Sequence, residues 1–145
     1  MKTILILCGH GKYASGVGST LEMLAGHHDD LHYLDFTEDE TDVTLKEKMI
    51  RIVKEHDGAQ VLFICDLLGG TPYKVSAEIA NFNPHMEVVA GCNIASIMET
   101  LFQKDAFPIQ QLADFIVDAS KQTTVRFRKL TGKEATFEAN NEEGI

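Results

Sequence analysis

The sequence has no basic run. Lys and Arg number 13 against 22 Asp and Glu, a formal net charge of −9 at pH 7. With nothing to attract phosphate backbones or anionic headgroups, that balance argues against non-specific binding of DNA, RNA or a membrane surface. No uninterrupted apolar stretch approaches the ~20 residues that a membrane-spanning helix needs. The opening "MKTILILCGHG" is cut by glycine and histidine too early for a secretory signal, so the expected location is the cytoplasm. Cysteine is sparse. Cys8, Cys65 and Cys92 are odd in number and lack CxxC spacing, which argues against a disulfide framework. Each sits at or near the end of an apolar run and reads as a small buried hydrophobe. Internal repeats and low-complexity linkers are missing as well, and 145 residues are the size of one domain.

What is present is alternation. The short apolar runs "TILIL" (3–7), "LHYLDF" (31–36), "VLFIC" (61–65) and "MEVVAG" (86–91) are rich in β-branched and aromatic residues. The first and third are nearly continuous, as strands covered on both faces should be. Between and after them run helical stripes: Val17, Leu21 and Leu24; Leu45, Met49, Ile52 and Val53; Val75, Ile79 and Phe82; Ile94, Ile97, Met98 and Leu101; Leu112, Phe115, Ile116 and Ala119. Such stripes are core faces. Thr71-Pro72 reads as a capping residue before a proline at the first helical position. Strand and helix thus alternate four times, predicting an α/β sandwich with a mostly parallel sheet. The late run "TTVRFRKL" (123–130) sets Val125, Phe127 and Leu130 against Arg126, Arg128 and Lys129, which suits an edge strand or one packed on a neighbouring subunit. The domain is expected to span residues 1–130, with a polar tail over 131–145.

In open α/β sheets, ligands sit beyond the carboxyl ends of the strands. The loops there are "CGHGKYASG", "CDLLGGTPYK" and "GCNIAS". His10 is the one histidine expected on that edge. His27, His28, His32, His56 and His85 fall at opposite-edge loops, strand starts or helix ends, where surface or capping roles are the default. Asp66 ends the third run, and a carboxylate bonded to one imidazole nitrogen fixes the tautomer and frees the other as a nucleophile. The segment Gly69-Gly70-Thr71-Pro72 supplies an anion cradle. Its glycines, like Gly11 after the histidine, allow close backbone approach, the following helix turns free N–H groups outward, and the Thr71 hydroxyl can donate. Together these residues describe a phosphohistidine site, with His10 attacking, Asp66 orienting it and Thr71 binding the phosphoryl group. A metal site from Cys8, His10, Cys65 and Asp66 competes less well, since Cys65 and Asp66 are adjacent in a strand and point to opposite faces.

On "GHG", "LEMLAG", "DLLGGTPYKVSAEIA" and "VVAGCNIASIMETL", in that order, the chain resembles the EIIA domain of the mannose/fructose/sorbose family of the bacterial sugar phosphotransferase system over roughly residues 2–130. The resemblance implies that His10 accepts a phosphoryl group on Nε2 from the phosphocarrier HPr and passes it to a histidine of EIIB, which serves membrane sugar-transporter components. It implies that Asp66 pairs with Nδ1 and that Thr71 is the hydroxyl residue at the helix start, often serine in the family. It also implies a sheet of order 2-1-3-4, and a final antiparallel strand, matched by "TTVRFRKL", exchanged in a homodimer. One departure is Lys74, asparagine in many relatives. The chain ends soon after the last run, so no fused EIIB domain is expected. No metal or other cofactor is called for.

Three other classes share single features. A receiver domain phosphorylated on Asp66 needs an acidic pair after the first strand, which "CGHGKYASG" lacks. A histidine phosphatase or mutase resembles "RHG", but Gly9 stands where the arginine belongs. The phosphotransferase subunit of dihydroxyacetone kinase shares fold and histidine, and "GGTP" followed by "GCNIAS" favours the sugar branch. A non-enzymatic binding module of the same fold is the remaining alternative.

Overall fold

The computed structural model describes residues 1–132. Four strands, β1 (Thr3–His10), β2 (Leu31–Phe36), β3 (Gln60–Cys65) and β4 (Met86–Ala90), form one sheet of order β2-β1-β3-β4, every pair parallel. Five α-helices alternate with and follow them: α1 (Tyr13–Ala25), α2 (Asp42–Glu55), α3 (Gly70–Ala80), α4 (Ile94–Gln103) and α5 (Ile109–Thr123).

The sheet divides the interior into two clusters. Leu5, Leu7, Leu62 and Ile64 face α1, α4 and α5 through Leu21, Ile97, Leu101, Leu112 and Ile116. Ile4, Ile6, Cys8, Val61 and Phe63 face α2 and α3 through Leu45, Met49 and Val75. Alternate residues of β1 thus enter opposite clusters, which explains why "TILIL" reads as continuously apolar. The result is the three-layer sandwich the alternation predicts.

Two stripe members fall outside. Leu24 is 48% exposed, because Ala14, Gly18 and Leu21 form the buried line of α1. Phe82 is 87% exposed, because α3 stops at Ala80 and the chain has turned away. The run "TTVRFRKL" is also not a strand within this chain. Thr123 closes α5, residues 124–130 join neither helix nor strand, and Val125 and Phe127 are exposed. Most of the expected tail, from residue 133 on, lies outside the described residues.

Buried polar groups pin the amino ends of the strands. The Gln60 side chain donates to Thr3 Oγ1 (2.9 Å) and to the Phe107 carbonyl (3.2 Å), and accepts from Ile109 N–H (2.8 Å). That last amide belongs to the first residue of α5 and has no intrahelical partner, so Gln60 caps α5 from β3. Gln60→Leu orphans all three groups, and urea unfolding should show a loss of about 3 kcal/mol. A loss under about 0.5 kcal/mol would mean that water replaces the side chain.

Candidate functional site

β1 leads through α1 on one face of the sheet to β2, whereas β3 leads through α3 on the other face to β4. The loops leaving β1 and β3 therefore diverge, and a crevice opens between adjacent strands at their carboxyl ends. His10 is the last residue of β1, and Asp66 follows the last residue of β3. Cys8 and Cys65 pair in register, which sets the two side by side.

The geometry couples them tightly. Asp66 Oδ2 lies 2.7 Å from His10 Nδ1 and also accepts from the His10 backbone N–H at 3.0 Å. Asp66 Oδ1 accepts from Leu67 N–H at 3.0 Å. Burial pushes the carboxyl pKa up, but the bonds from His10 and Leu67 outweigh it and hold Asp66 below the usual carboxylate range. An ionised carboxylate has no proton to give, so Nδ1 carries the hydrogen and Nε2 holds the lone pair when the ring is neutral. The Asp66 side chain is 11% exposed and that of His10 46%, so the orienting group is sheltered while the ring faces solvent. Phe36 meets the imidazole edge-on at 5.9 Å.

Two glycines make this packing possible. A Cβ on Gly9 would lie 2.4 Å from the Tyr13 ring and 2.9 Å from Asp66 Cβ, so a side chain there would displace the carboxylate. A Cβ on Gly70 would lie 2.9 Å from His10 Cε1 and 3.2 Å from Nε2, and its φ of +78° is itself the left-handed region. The amino end of α3 therefore lies against the face of the ring that carries Nε2. Gly70→Val should leave a folded chain in which the His10 ring is displaced, read as a shifted His10 imidazole signal by NMR. An unchanged signal would show that the ring does not need this space.

Thr71 is not the helix cap. Gly69 occupies that position without a side-chain bond, Gly70 and Thr71 start the helix, and Pro72 is its third residue. At this helix start the amides of Gly69, Gly70 and Thr71 have no intrahelical acceptor, and Pro72 has no N–H to lose. Gly11 differs from expectation in kind. Its N–H donates to the Phe36 carbonyl at 2.8 Å, so it contributes the absence of a side chain rather than a donor. Lys74 is exposed on α3. Cys8 and Cys65 are fully buried, and burial raises both thiols, Cys65 to about 11 and Cys8 further. Among the described residues no group of three or more His, Cys, Asp or Glu side chains is arranged to hold a metal ion.

Asp35 was missed from sequence. From β2 it accepts from Ser15 N–H (2.9 Å) and Ser15 Oγ (2.6 Å), capping the start of α1 that Lys12 leaves without a side-chain cap. An aspartate inside an apolar run, four residues from a strand start, gave the only signal.

The family model described as PTS system fructose IIA component, EIIA-man, matches residues 4–117. The chain belongs to the EIIA-man family. Among its curated relatives, the mannose-specific EIIAB component of the phosphotransferase system (PTS) of Escherichia coli K12 is 34% identical over 83% of this chain but only 38% of its own length. The chain thus spans well under half of that two-part protein. The sorbose-specific EIIA component of Lacticaseibacillus casei is 29% identical over 81% of this chain and 86% of its own. Among solved structures, the mannose/sorbose-specific IIA subunit from Enterococcus faecalis superposes with a TM-score of 0.79 at 28% identity, covering 90% of this chain and 100% of that one. The EIIA-man sheet and helices described above are therefore shared with solved relatives, and in this member no described helix is long and apolar enough to cross a membrane.

Proposed function

We propose that this EIIA-man chain is a cytoplasmic phosphoryl carrier of a sugar phosphotransferase system, with His10 as the phosphorylated residue. The observation that carries this reading is the 2.7 Å contact between Asp66 Oδ2 and His10 Nδ1, which leaves Nε2 of a half-exposed ring free beside the start of α3. The Nε2 lone pair attacks the phosphorus of phospho-HPr, the P–N bond to the donor's histidine breaks, and that histidine, already protonated on its other ring nitrogen, takes the bonding pair and leaves as neutral imidazole. The amides of Gly69, Gly70 and Thr71, with the Thr71 hydroxyl, bind the equatorial oxygens as charge redistributes. Asp66 keeps its proton-free state throughout and balances the positive ring formed at His10. The same steps in reverse pass the group to a histidine of EIIB. An open site suits two protein partners in turn. Incubation with phosphoenolpyruvate, enzyme I and HPr should add one acid-labile phosphoryl group; no added mass would refute the reading.

The exchanged strand belongs to the same proposal. β4 pairs only with β3 among the described residues, so its outer edge is open. Beside it a groove of ≈ 630 Å³ is lined by Tyr73, Phe82, Met86 and Val88. Val125 and Phe127 are 79% and 73% exposed and alternate in sequence with Arg126 and Arg128. A second copy's residues 124–130 laid along β4 satisfy both the open edge and the apolar side chains. Deletion of residues 125–145 should convert a dimer to a monomer in light scattering while the helical signal persists. An unchanged mass would remove that segment from the interface.

A further inference from the structure

We propose that His32 and His56 form a two-histidine site for a divalent transition-metal ion of the Zn²⁺ or Cu²⁺ class, remote from His10. His32 is the second residue of β2, and His56 caps the carboxyl end of α2. Their Nε2 atoms lie 3.1 Å apart, with ring centroids at 5.0 Å and planes inclined by 66°. Two nitrogens each about 2.0–2.1 Å from one ion are separated by about 2.9 Å at a right angle and about 3.4 Å at the tetrahedral angle. The observed spacing falls between these values, so the rings need little movement to share an ion.

Without an ion, the short contact requires that one ring donate its Nε2–H and the other accept. An ion replaces that single proton, and both nitrogens then bind as lone-pair donors. Negative charge from Asp30 and Glu55 favours a cation there, and Lys2 opposes it. Asp30 is already paired with Lys2 and with Lys104, each at 2.9 Å. The site thus offers two imidazoles, with water filling the remaining positions, in keeping with the absence of a third protein donor among the described residues. Both histidines are partly exposed, so an ion can enter from solvent.

The site is separate from the phosphoryl chemistry. His32 pairs with Ile6 and Phe36 with His10 along the same strand. Four residues of β-strand place the pair ~13 Å from the His10 end of the sheet. An ion held there ties the start of β2 to the end of α2 and stabilises the folded chain, since the unfolded chain does not hold the two rings together.

The test uses the full chain, stripped with chelator and titrated at about pH 7.5, where free imidazole is neutral, with ZnCl₂ or CuCl₂ alone. One equivalent should bind and raise the melting temperature. Its affinity should fall by about tenfold or more in both His32→Asn and His56→Asn. His27→Asn, which alters a separate exposed ring between Glu22 and Asp29, should leave it unchanged. The Cu²⁺ electron paramagnetic resonance spectrum of the unaltered chain should show two imidazole nitrogens, a readout that does not depend on any variant folding. The proposal is overturned by unchanged affinity in both pair variants, by loss of binding in His27→Asn, or by a spectrum with fewer than two imidazole nitrogens.

Discussion

His10→Ala should abolish phosphoryl uptake and leave the fold in place. The ring is nearly half exposed at the end of β1, so its removal opens no core cavity. Two of the bonds to Asp66 come from backbone amides, those of His10 and Leu67, and survive the substitution. The carboxylate is not left as a bare buried charge. A stability change under about 1 kcal/mol is expected, because the altered side chain is a surface group. Uptake is a different matter, since alanine has no lone pair to offer. Intact-mass spectrometry after charging should show no phosphoryl adduct, with a melting curve close to the parent's. An undiminished adduct would assign the acceptor elsewhere.

Asp66→Asn should leave the acceptor in place and spoil its chemistry. Asparagine can turn either its carbonyl oxygen or its amide toward Nδ1. With the amide there, Nδ1 must accept, the proton moves to Nε2, and the lone pair leaves the face beside Gly70. The negative charge that balances the phosphorylated ring is lost in either orientation. The expected slowing of uptake is about 10²–10⁴-fold, the range that tautomer control and proton placement account for in other histidine sites. Quenched-flow mass spectrometry reads the rate. Slowing of less than about threefold would make Asp66 a structural residue only.

The same variant carries a pH signature. Asp66 has a folded pKa below its ordinary value: burial opposes ionisation, and the bonds from His10 and Leu67 outweigh it. A carboxylate lowered by folding contributes its stability in full above the unfolded value of ~3.9 and loses it as pH falls through the lower folded value. The unaltered chain should therefore lose part of its melting temperature in that acid window, and Asp66→Asn should lack this component. Identical acid profiles would show that the bonds to Asp66 add nothing to stability.

Much of this arrangement could be read from the chain, for a physical reason. β1 and β3 are buried on both faces, so their runs are continuous and unmistakable, and strand ends next to glycine mark where a site can open. That placed His10, Asp66 and Gly70 on one edge. What sequence could not supply is contact between segments distant in the chain. Gln60 capping α5, Asp35 capping α1, and His32 meeting His56 each join residues more than a dozen positions apart. Local rules erred where the backbone departed from the average. Thr71-Pro72 has the pattern of a cap, yet a left-handed Gly70 starts the helix two residues sooner. Phe82 fits a helical period that the chain abandons after Ala80. The run "TTVRFRKL" has a strand's alternation without a strand partner among the described residues, and alternation cannot say where a partner lies.

On the proposed function, phosphoryl enters and leaves through Nε2 of His10. Phosphorus NMR of the chain charged from phosphoenolpyruvate, enzyme I and HPr, and then separated from them, reads this, since the two phosphoimidazole isomers resonate at different positions. One acid-labile signal is expected, of the Nε2 isomer, absent from His10→Ala. A signal of the Nδ1 isomer, or one that persists in that variant, would contradict it.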